Sequence, residues 1–308
     1  MSEVYSANAF VLSPSSAQAA AISRLFVGTL IFLGVIFVLV TSFVIYAVIR
    51  YRDRPGAAEA RQVFGSLKLE TVCIVVLILS LAVLADIMAR TMMAGDPSTA
   101  NSRADIRIVA HQWWWEIYYL KSGVVTANEI HIAVGRRVLI DFRSADVIHD
   151  FWVPELGRKI DIIPGHPNRL WVEADRAGTY LGVCAEFCGT EHAWMRLMVV
   201  AEPQDRFAAW IAHQLGIPAS PSTAAEQLGA TIYRESICTN CHLRSIGPDL
   251  THLASRRTLA AGVLDNTPEN LAAWLRDPDQ FKPGSNMPNF RLRDNEIRAL
   301  VAYLETQK

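Results

Sequence analysis

Lysine and arginine are absent from the first 23 residues, and no charge of either sign falls between Leu25 and Ile49. The chain as a whole carries almost no net charge, −1 over 308 residues, so it offers no excess basic surface for nucleic acid and no nucleic-acid partner is expected. Internal repeats and low-complexity tracts are missing too, which leaves solenoids and disordered linker proteins aside. What is abundant is apolar: 51% of the residues are hydrophobic, and the mean hydropathy is positive.

The uncharged run Leu25–Ile49 is long enough to cross a bilayer, which takes about 20 helical residues. It is too long, and too far from the start, for an ordinary signal sequence. A second run from Thr71 to Ala85, extended through Asp86 to about Met92, spans as well, with Asp86 near an interface. The alternative for this second run is a buried helix of a soluble domain. Between the runs lie Arg50, Arg52, Arg54, Arg61 and Lys68 against Asp53 and Glu59. The positive-inside rule makes that loop cytoplasmic and puts both termini outside. Membrane lipid is therefore an expected partner. Cys73, within the second run, reads as a small packing residue.

The other four cysteines fall in two compact motifs. In Cys184-Ala-Glu-Phe-Cys188-Gly-Thr-Glu-His192-Ala-Trp-Met195 two thiols, an imidazole and a thioether recur at spacings of four, four and three. Soft sulfur mixed with imidazole favours copper or zinc over magnesium or calcium. A zinc site and a Cys184–Cys188 disulfide are the alternatives. Met195 argues against both, because a thioether is a poor zinc ligand and has no place in a disulfide, so copper leads.

Cys238-Thr-Asn-Cys241-His242 is the attachment signature of a c-type haem, with the cysteines bound to the haem vinyls and His242 on the iron. Gly247-Pro248-Asp249-Leu250 follows, suited to support the His242 ring, and Met287 sits in Gly284-Ser-Asn-Met-Pro288 as the expected sixth ligand. A His/Met pair suits electron transfer. His252 is a rival ligand that stands too close in sequence to His242.

From Arg103 to Glu202 the pattern is that of short strands: Ile130, Ile132 and Val134 alternate, as do Val138, Ile140 and Phe142, with Leu197–Val200 as the last. This predicts an all-β sandwich or barrel with the thiol cluster between its last two strands. Asp205–Leu215 predicts an amphipathic helix with Phe207, Trp210, Ile211 and Leu215 on one face, and Gly216–Ser222 a linker. The last eighty residues read as helical, with Gly229 and Tyr233 set to meet the helix carrying Tyr303. The domains expected are an external segment at 1–23, a transmembrane hairpin at 24–94, a β domain at 103–203, a helix and linker at 204–224, and a helical haem domain at 225–308.

Together these motifs resemble cytochrome c oxidase subunit II in the bacterial variant with a C-terminally fused cytochrome c domain. The resemblance implies a multidomain fold: a two-helix transmembrane hairpin, an all-β cupredoxin-like barrel and an all-α class I cytochrome c domain. His149 in Val147-Ile148-His149-Asp150-Phe151-Trp152-Val153-Pro154 is similar to the family's upstream copper histidine. The resemblance then implies a binuclear CuA centre bridged by Cys184 and Cys188, with His149 and Met195 completing one copper, and His192 and the Glu186 carbonyl the other. It implies that the Glu186 carboxylate helps bind magnesium with subunit I. His111-Gln112-Trp113-Trp114-Trp115 resembles the family's aromatic patch, with Trp113 as the exposed port for incoming electrons and Trp115 nearer the metal. Fusion of a haem donor would make that port internal. Glu70 resembles the glutamate at the mouth of a proton-uptake pathway, although Thr71–Leu77 lacks the tryptophan and proline that often follow it.

The function so implied is a relay in a respiratory oxidase of the bacterial inner membrane, with metal domains on the periplasmic face. Electrons would come from cytochrome c or the cytochrome bc complex and pass through haem c and CuA to subunit I. There oxygen would be reduced with proton pumping, and subunit III would complete the complex. Two membrane spans are too few to hold the oxygen chemistry, so this chain has no catalytic residue of its own. The alternatives are the small subunit of a CuA-containing nitric oxide reductase and a membrane-tethered copper carrier. A quinol oxidase subunit would lack the copper ligands. The haem domain, from Ala225 on, has ten basic and ten acidic residues, so no strong steering of a charged donor is expected.

Overall fold

The structure is a computed structural model that describes residues 12–52, 55–56, 64–94, 103–235, 238–243 and 246–308. Asp53, Arg54, Glu59 and Arg61 of the expected cytoplasmic loop lie outside the described residues, as do residues 1–11 of the N-terminal segment. The chain divides into two compact units, residues 20–95 and the remainder.

The first unit is built on α1 (Ala17–Arg50) and α2 (Leu67–Ala94). Both are long and apolar enough to cross a membrane. Their side chains are apolar on every face and find no protein interior: Phe37 is 69% exposed and Phe43 77%. Helices that satisfy their own backbone and show hydrocarbon all round suit lipid. Thr29, Thr71 and Thr91 turn their hydroxyls back onto carbonyls one turn earlier, which hides three polar groups. Asp86 is paired with Arg90 at 2.8 Å, one turn on, which gives an acid near the span a counter-charge. Glu70 sits in the first turn of α2, where the helix dipole favours an acid.

The second unit holds a β domain and a helical module. Two five-stranded sheets face each other across the core. One runs β3 (Val125–Ala127), β2 (Trp114–Tyr119), β1 (Ile106–His111), β5 (Val138–Ser144), β8 (Asn168–Val172). The other runs β4 (Glu129–Ala133), β10 (Arg196–Glu202), β9 (Gly178–Cys184), β6 (His149–Trp152), β7 (Ile160–Ile162). β1 pairs in parallel with β5 and β10 with β4, while the other pairings are antiparallel. Period-two alternation sends Ile106, Ile108 and Ala110 of β1 inward, where they join Ile130, Ile132, Ile140, Phe142 and Phe151. This is the cupredoxin-like architecture expected.

β4 is buried on both faces, against the simple alternation. The reason is α3 (Gln204–Gln214), whose Trp210 stacks on His131 at 4.1 Å and 8°, with Tyr119 at 5.2 Å. Phe207 and Ile211 pack on the same core, but Leu215, expected beside them, is 57% exposed because the helix has ended and Leu215 caps it.

The helical module consists of α4 (Ala224–Glu235), α5 (Cys238–His242), α6 (Pro268–Arg276) and α7 (Asp294–Leu304). Thr267 caps α6 by accepting from the Asn270 amide at 3.2 Å, with Pro268 in the first turn. α4 meets α7 at Gly229, where a Cβ would strike the Ala299 carbonyl, and Tyr233 packs on Tyr303 with rings 5.6 Å apart. A short hairpin, β11 (Thr258–Leu259) and β12 (Leu264–Asp265), interrupts the helices. Two-residue strands carry too little pattern to be seen in sequence.

Candidate metal centres

The thiol cluster hangs between the ends of β9 and β10, which hydrogen-bond to each other and so bring Cys184 and Met195 side by side. β6 lies against the other edge of β9, with Phe151 opposite Cys184, and delivers His149 two residues earlier. The intervening loop folds back through a 3-10 turn at His192–Trp194. Cys184 Sγ and Cys188 Sγ stand 3.7 Å apart and unbonded. His149 Nδ1 is 3.9 Å from Cys184 Sγ, His192 Nδ1 is 3.7 Å from Cys188 Sγ, and Met195 Sδ is 3.9 Å from Cys188 Sγ. The Glu186 carbonyl points in, 3.2 Å from Cys184 Sγ, while its carboxylate side chain faces out, exposed.

Metal bonds of about 2.0–2.3 Å to nitrogen and sulfur leave neighbouring ligand atoms roughly 3.3–3.8 Å apart in a tetrahedral arrangement. The observed spacings of 3.7–3.9 Å lie at the upper end of that range or just beyond it, and His149, Cys184, Cys188 and Met195 are all buried. The donor set of two thiols, two imidazoles and a thioether suits copper. Cys184 is held well below the usual thiol value, first by the Cys188 thiol beside it and then by hydrogen bonds with His149 and the backbone. The pair therefore offers a thiolate at neutral pH, the form a metal binds.

Ring orientation is set by Asp146, which no sequence pattern singles out. Asp146 Oδ1 lies 2.8 Å from His149 Nε2, leaving Nδ1 free toward the sulfurs. Asp146 also accepts from the amides of Gln112 at 2.7 Å and Val147 at 2.6 Å. Burial alone would raise its carboxyl, but the His149 and backbone hydrogen bonds outweigh it and hold it below the usual value. No spacing rule links Asp146 to the thiol loop. Only its position three residues before His149 was available as a clue.

The tryptophan run is divided among three tasks. Trp115 is fully buried, its ring 6.3 Å from His149. Trp114 joins Ala127 and Ala261 in an apolar cluster between the β domain and the helical module. Trp113 is half-buried rather than exposed, because the helical module covers it, and its indole N–H donates to the Cys188 carbonyl at 2.9 Å.

Cys238, Cys241, His242 and Met287 all line one cavity of about 380 Å³, with Trp113 and Gln112 in its wall. That volume lies in the range of cofactor sites. The His242 Nδ1–H donates to the Pro248 carbonyl at 2.8 Å, leaving Nε2 free, and a side chain at Gly247 would crowd the ring at 3.1 Å. Burial holds His242 below its usual pKa, so it is neutral at pH 7 and fit to ligate. Arg256, buried and also in the wall, donates to the Asp249 carbonyl and keeps its Nε–H without a partner. An orphaned guanidinium donor facing the cavity fits a cofactor with carboxylates, which haem is. His252 is excluded from this wall and its Nδ1 is held by the Lys308 carbonyl at 2.8 Å.

The β domain and the haem module meet through polar contacts as well. Lys282 Nζ lies 2.8 Å from Glu191 Oε2, both buried, and donates to the Trp113 carbonyl at 3.1 Å. Burial pushes Glu191 up and Lys282 down, and their mutual attraction offsets both.

Comparison with known proteins identifies the two domains. Residues 122–202 match the family described as cytochrome c oxidase subunit II, periplasmic domain, and residues 226–308 match cytochrome c. Cytochrome c oxidase subunit 2 of Alkalihalophilus pseudofirmus is 33% identical over 313 residues, covering 98% of this chain and 91% of the relative. The subunit 2 of Bacillus sp. strain PS3 is 33% identical, covering 84% and 80%. A crystal structure of the periplasmic domain of subunit II from Bradyrhizobium japonicum is 30% identical and aligns with 37% of this chain and 95% of that one, at a TM-score of 0.35. The nitric oxide reductase and copper-carrier readings are not favoured by these relatives. The two domains imply CuA and haem c, and the relatives imply subunit I as the partner in an oxidoreductase complex. The chain belongs to the cytochrome c oxidase subunit II family, in the form that carries a fused cytochrome c domain.

Proposed function

We propose that this chain is the electron relay of a membrane-bound cytochrome c oxidase, taking electrons from an external donor and delivering them to the haem-copper subunit. The observation that carries this is the convergence of His149, Cys184, Cys188, His192 and Met195, each 3.7–3.9 Å from at least one sulfur of the Cys184–Cys188 pair, beside the wall of a cavity lined by the haem-motif residues. A copper pair and a haem c, when bound, supply the one-electron chemistry. Cys184, Cys188, His149, His192, Met195 and the Glu186 carbonyl would hold the copper pair. Cys238 and Cys241 would hold the haem covalently, and His242 and Met287 would be its iron ligands. The protein matrix around the sulfurs excludes water and keeps the ligands in one arrangement, so little moves when charge does.

The finer roles belong to the same reading. The outward Glu186 carboxylate is available for magnesium at the subunit I boundary. Glu70 opens a proton-uptake pathway into subunit I. Both termini and both metal domains lie on the outer face, with cytochrome c or the cytochrome bc complex as donor and subunit III as a further partner. Trp113 and Trp115 carry electrons within the chain. The domains are an external segment at 1–23, the transmembrane hairpin at 24–94, the CuA domain at 103–203, a helix and linker at 204–224, and the cytochrome domain at 225–308.

Metal analysis and electron paramagnetic resonance of the purified full chain with its partners test the proposal. The expected result is two coppers and one c-type haem in this subunit, with the hyperfine pattern of one electron shared by two copper nuclei. Zinc in place of copper, or a mononuclear copper signal, would refute it.

A further inference from the structure

The haem module is joined to the β domain by a linker of glycine, proline and serine around Gly216–Ser222, in which Ile217 is 97% exposed. Such a linker permits a tethered module that swings between partners. The contacts between the two modules argue otherwise. Lys282, on the loop that leads to Met287, pairs with Glu191 of the copper loop at 2.8 Å, with side chains 6% and 2% exposed. The same ammonium donates to the Trp113 carbonyl at 3.1 Å. Four residues on, the Asn286 amide donates to the Gln112 carbonyl at 2.8 Å. Gly284, between them, lies so close to Thr190 that a Cβ would meet its methyl at 3.0 Å.

A separate set of contacts secures the other side. Glu129 on β4, 3% exposed, accepts from two backbone amides of the haem module, Arg257 at 2.5 Å and Thr258 at 3.1 Å. The Arg196 amide of β10 donates to the Ala261 carbonyl at 3.2 Å. Trp114, Ala127 and Ala261 form an apolar patch between them. An ion pair this deeply buried tolerates little displacement, since separating it would strand both charges away from water.

Resting on the relay reading above, we infer that Lys282 is a positioning residue, which locks the methionine loop of the haem module onto the copper loop so that both centres are held in one register. Gln112 and Trp113 make that register productive. Each donates to the Cys188 carbonyl, at 2.7 and 2.9 Å, while their own carbonyls receive Asn286 and Lys282. The methionine loop is thereby joined to a copper-bridging cysteine through two residues and no gap. The fused cytochrome is a fixed wall of the relay, and an external donor reduces it in place.

The test is haem-to-copper electron transfer after flash photoreduction of haem c in the purified oxidase. Lys282→Met is expected to slow this step by about tenfold or more, as small misplacements between reacting groups do, with the haem spectrum and copper resonance unchanged. Lys282→Arg restores most of the rate. Asn286→Ala, at an exposed position, slows it by a smaller factor and keeps the test open if Lys282→Met fails to assemble. Unchanged rates in Lys282→Met, or in Asn286→Ala when that is the variant obtained, overturn the inference while leaving the relay intact. Absence of the shared-electron copper signal in the wild type defeats the relay reading itself.

Discussion

Asp146 and His149 are joined by a hydrogen bond of 2.8 Å that fixes which face of the imidazole meets the sulfurs. The bond occupies Nε2, so only Nδ1 is left to ligate. Asp146→Ala is therefore expected to weaken copper retention by about 10–100-fold, the usual effect of removing such a partner. Copper content after graded chelation measures it, and the haem spectrum should not change.

Met195 is fully buried beside Cys188, and its substitution isolates the two metal sites from one another. Met195→Leu keeps volume and apolarity within a well-packed core, so a stability change under about 1.5 kcal/mol is expected. The copper resonance should alter while haem absorption stays as in the parent. Equal loss of both signals would indicate misfolding.

Met287 faces the same cavity as His242 and packs on the helical core. Met287→Ala is expected to free the sixth haem position, seen as a high-spin spectrum that responds to carbon monoxide. An unchanged low-spin spectrum would remove Met287 as the ligand.

At Gly229 an added methyl would press on the Ala299 carbonyl and lie 2.7 Å from Tyr303 Cβ. Backbone cannot step aside as a flexible side chain can. Gly229→Ala should destabilise the haem module by about 1–3 kcal/mol, read as earlier loss of haem absorbance on heating.

Asp150, 1% exposed, is pushed up to about 7, first by burial and then by the Asp161 carboxyl, against the Lys159 ammonium at 3.7 Å. Between about pH 4 and that value the folded chain holds a proton that an unfolded aspartate has released. The raised value thus stabilises the fold at low pH, and the contribution is lost as pH rises through that window. Unfolding of the copper-depleted protein followed against pH should show this slope, and Asp150→Asn should flatten it.

Much of this protein was written in local pattern. The membrane spans follow from uninterrupted apolar runs, and the strands of the β domain from alternation at Ile130, Ile132 and Val134 and at Val138, Ile140 and Phe142. The two cysteine motifs concentrate their groups in short stretches because thiols four residues apart can meet at one metal, and thiols three apart can reach the two vinyls of one haem, without long-range help. His149 lay 35 residues from Cys184, and its place rested on resemblance until β6 was seen to run alongside β9.

Tertiary structure alone decided what lies between the motifs. Asp146 reaches His149 through a turn, Arg256 turns an unpaired donor to the haem cavity, and His252 is tied to Lys308 instead. Trp113 became half-buried, and Lys282 met Glu191 across 91 residues, only once one module had closed on the other. Periodicity records which face of an element is apolar. It does not record which distant face will cover it, because that choice is made by shape and charge complementarity between surfaces that the sequence holds far apart.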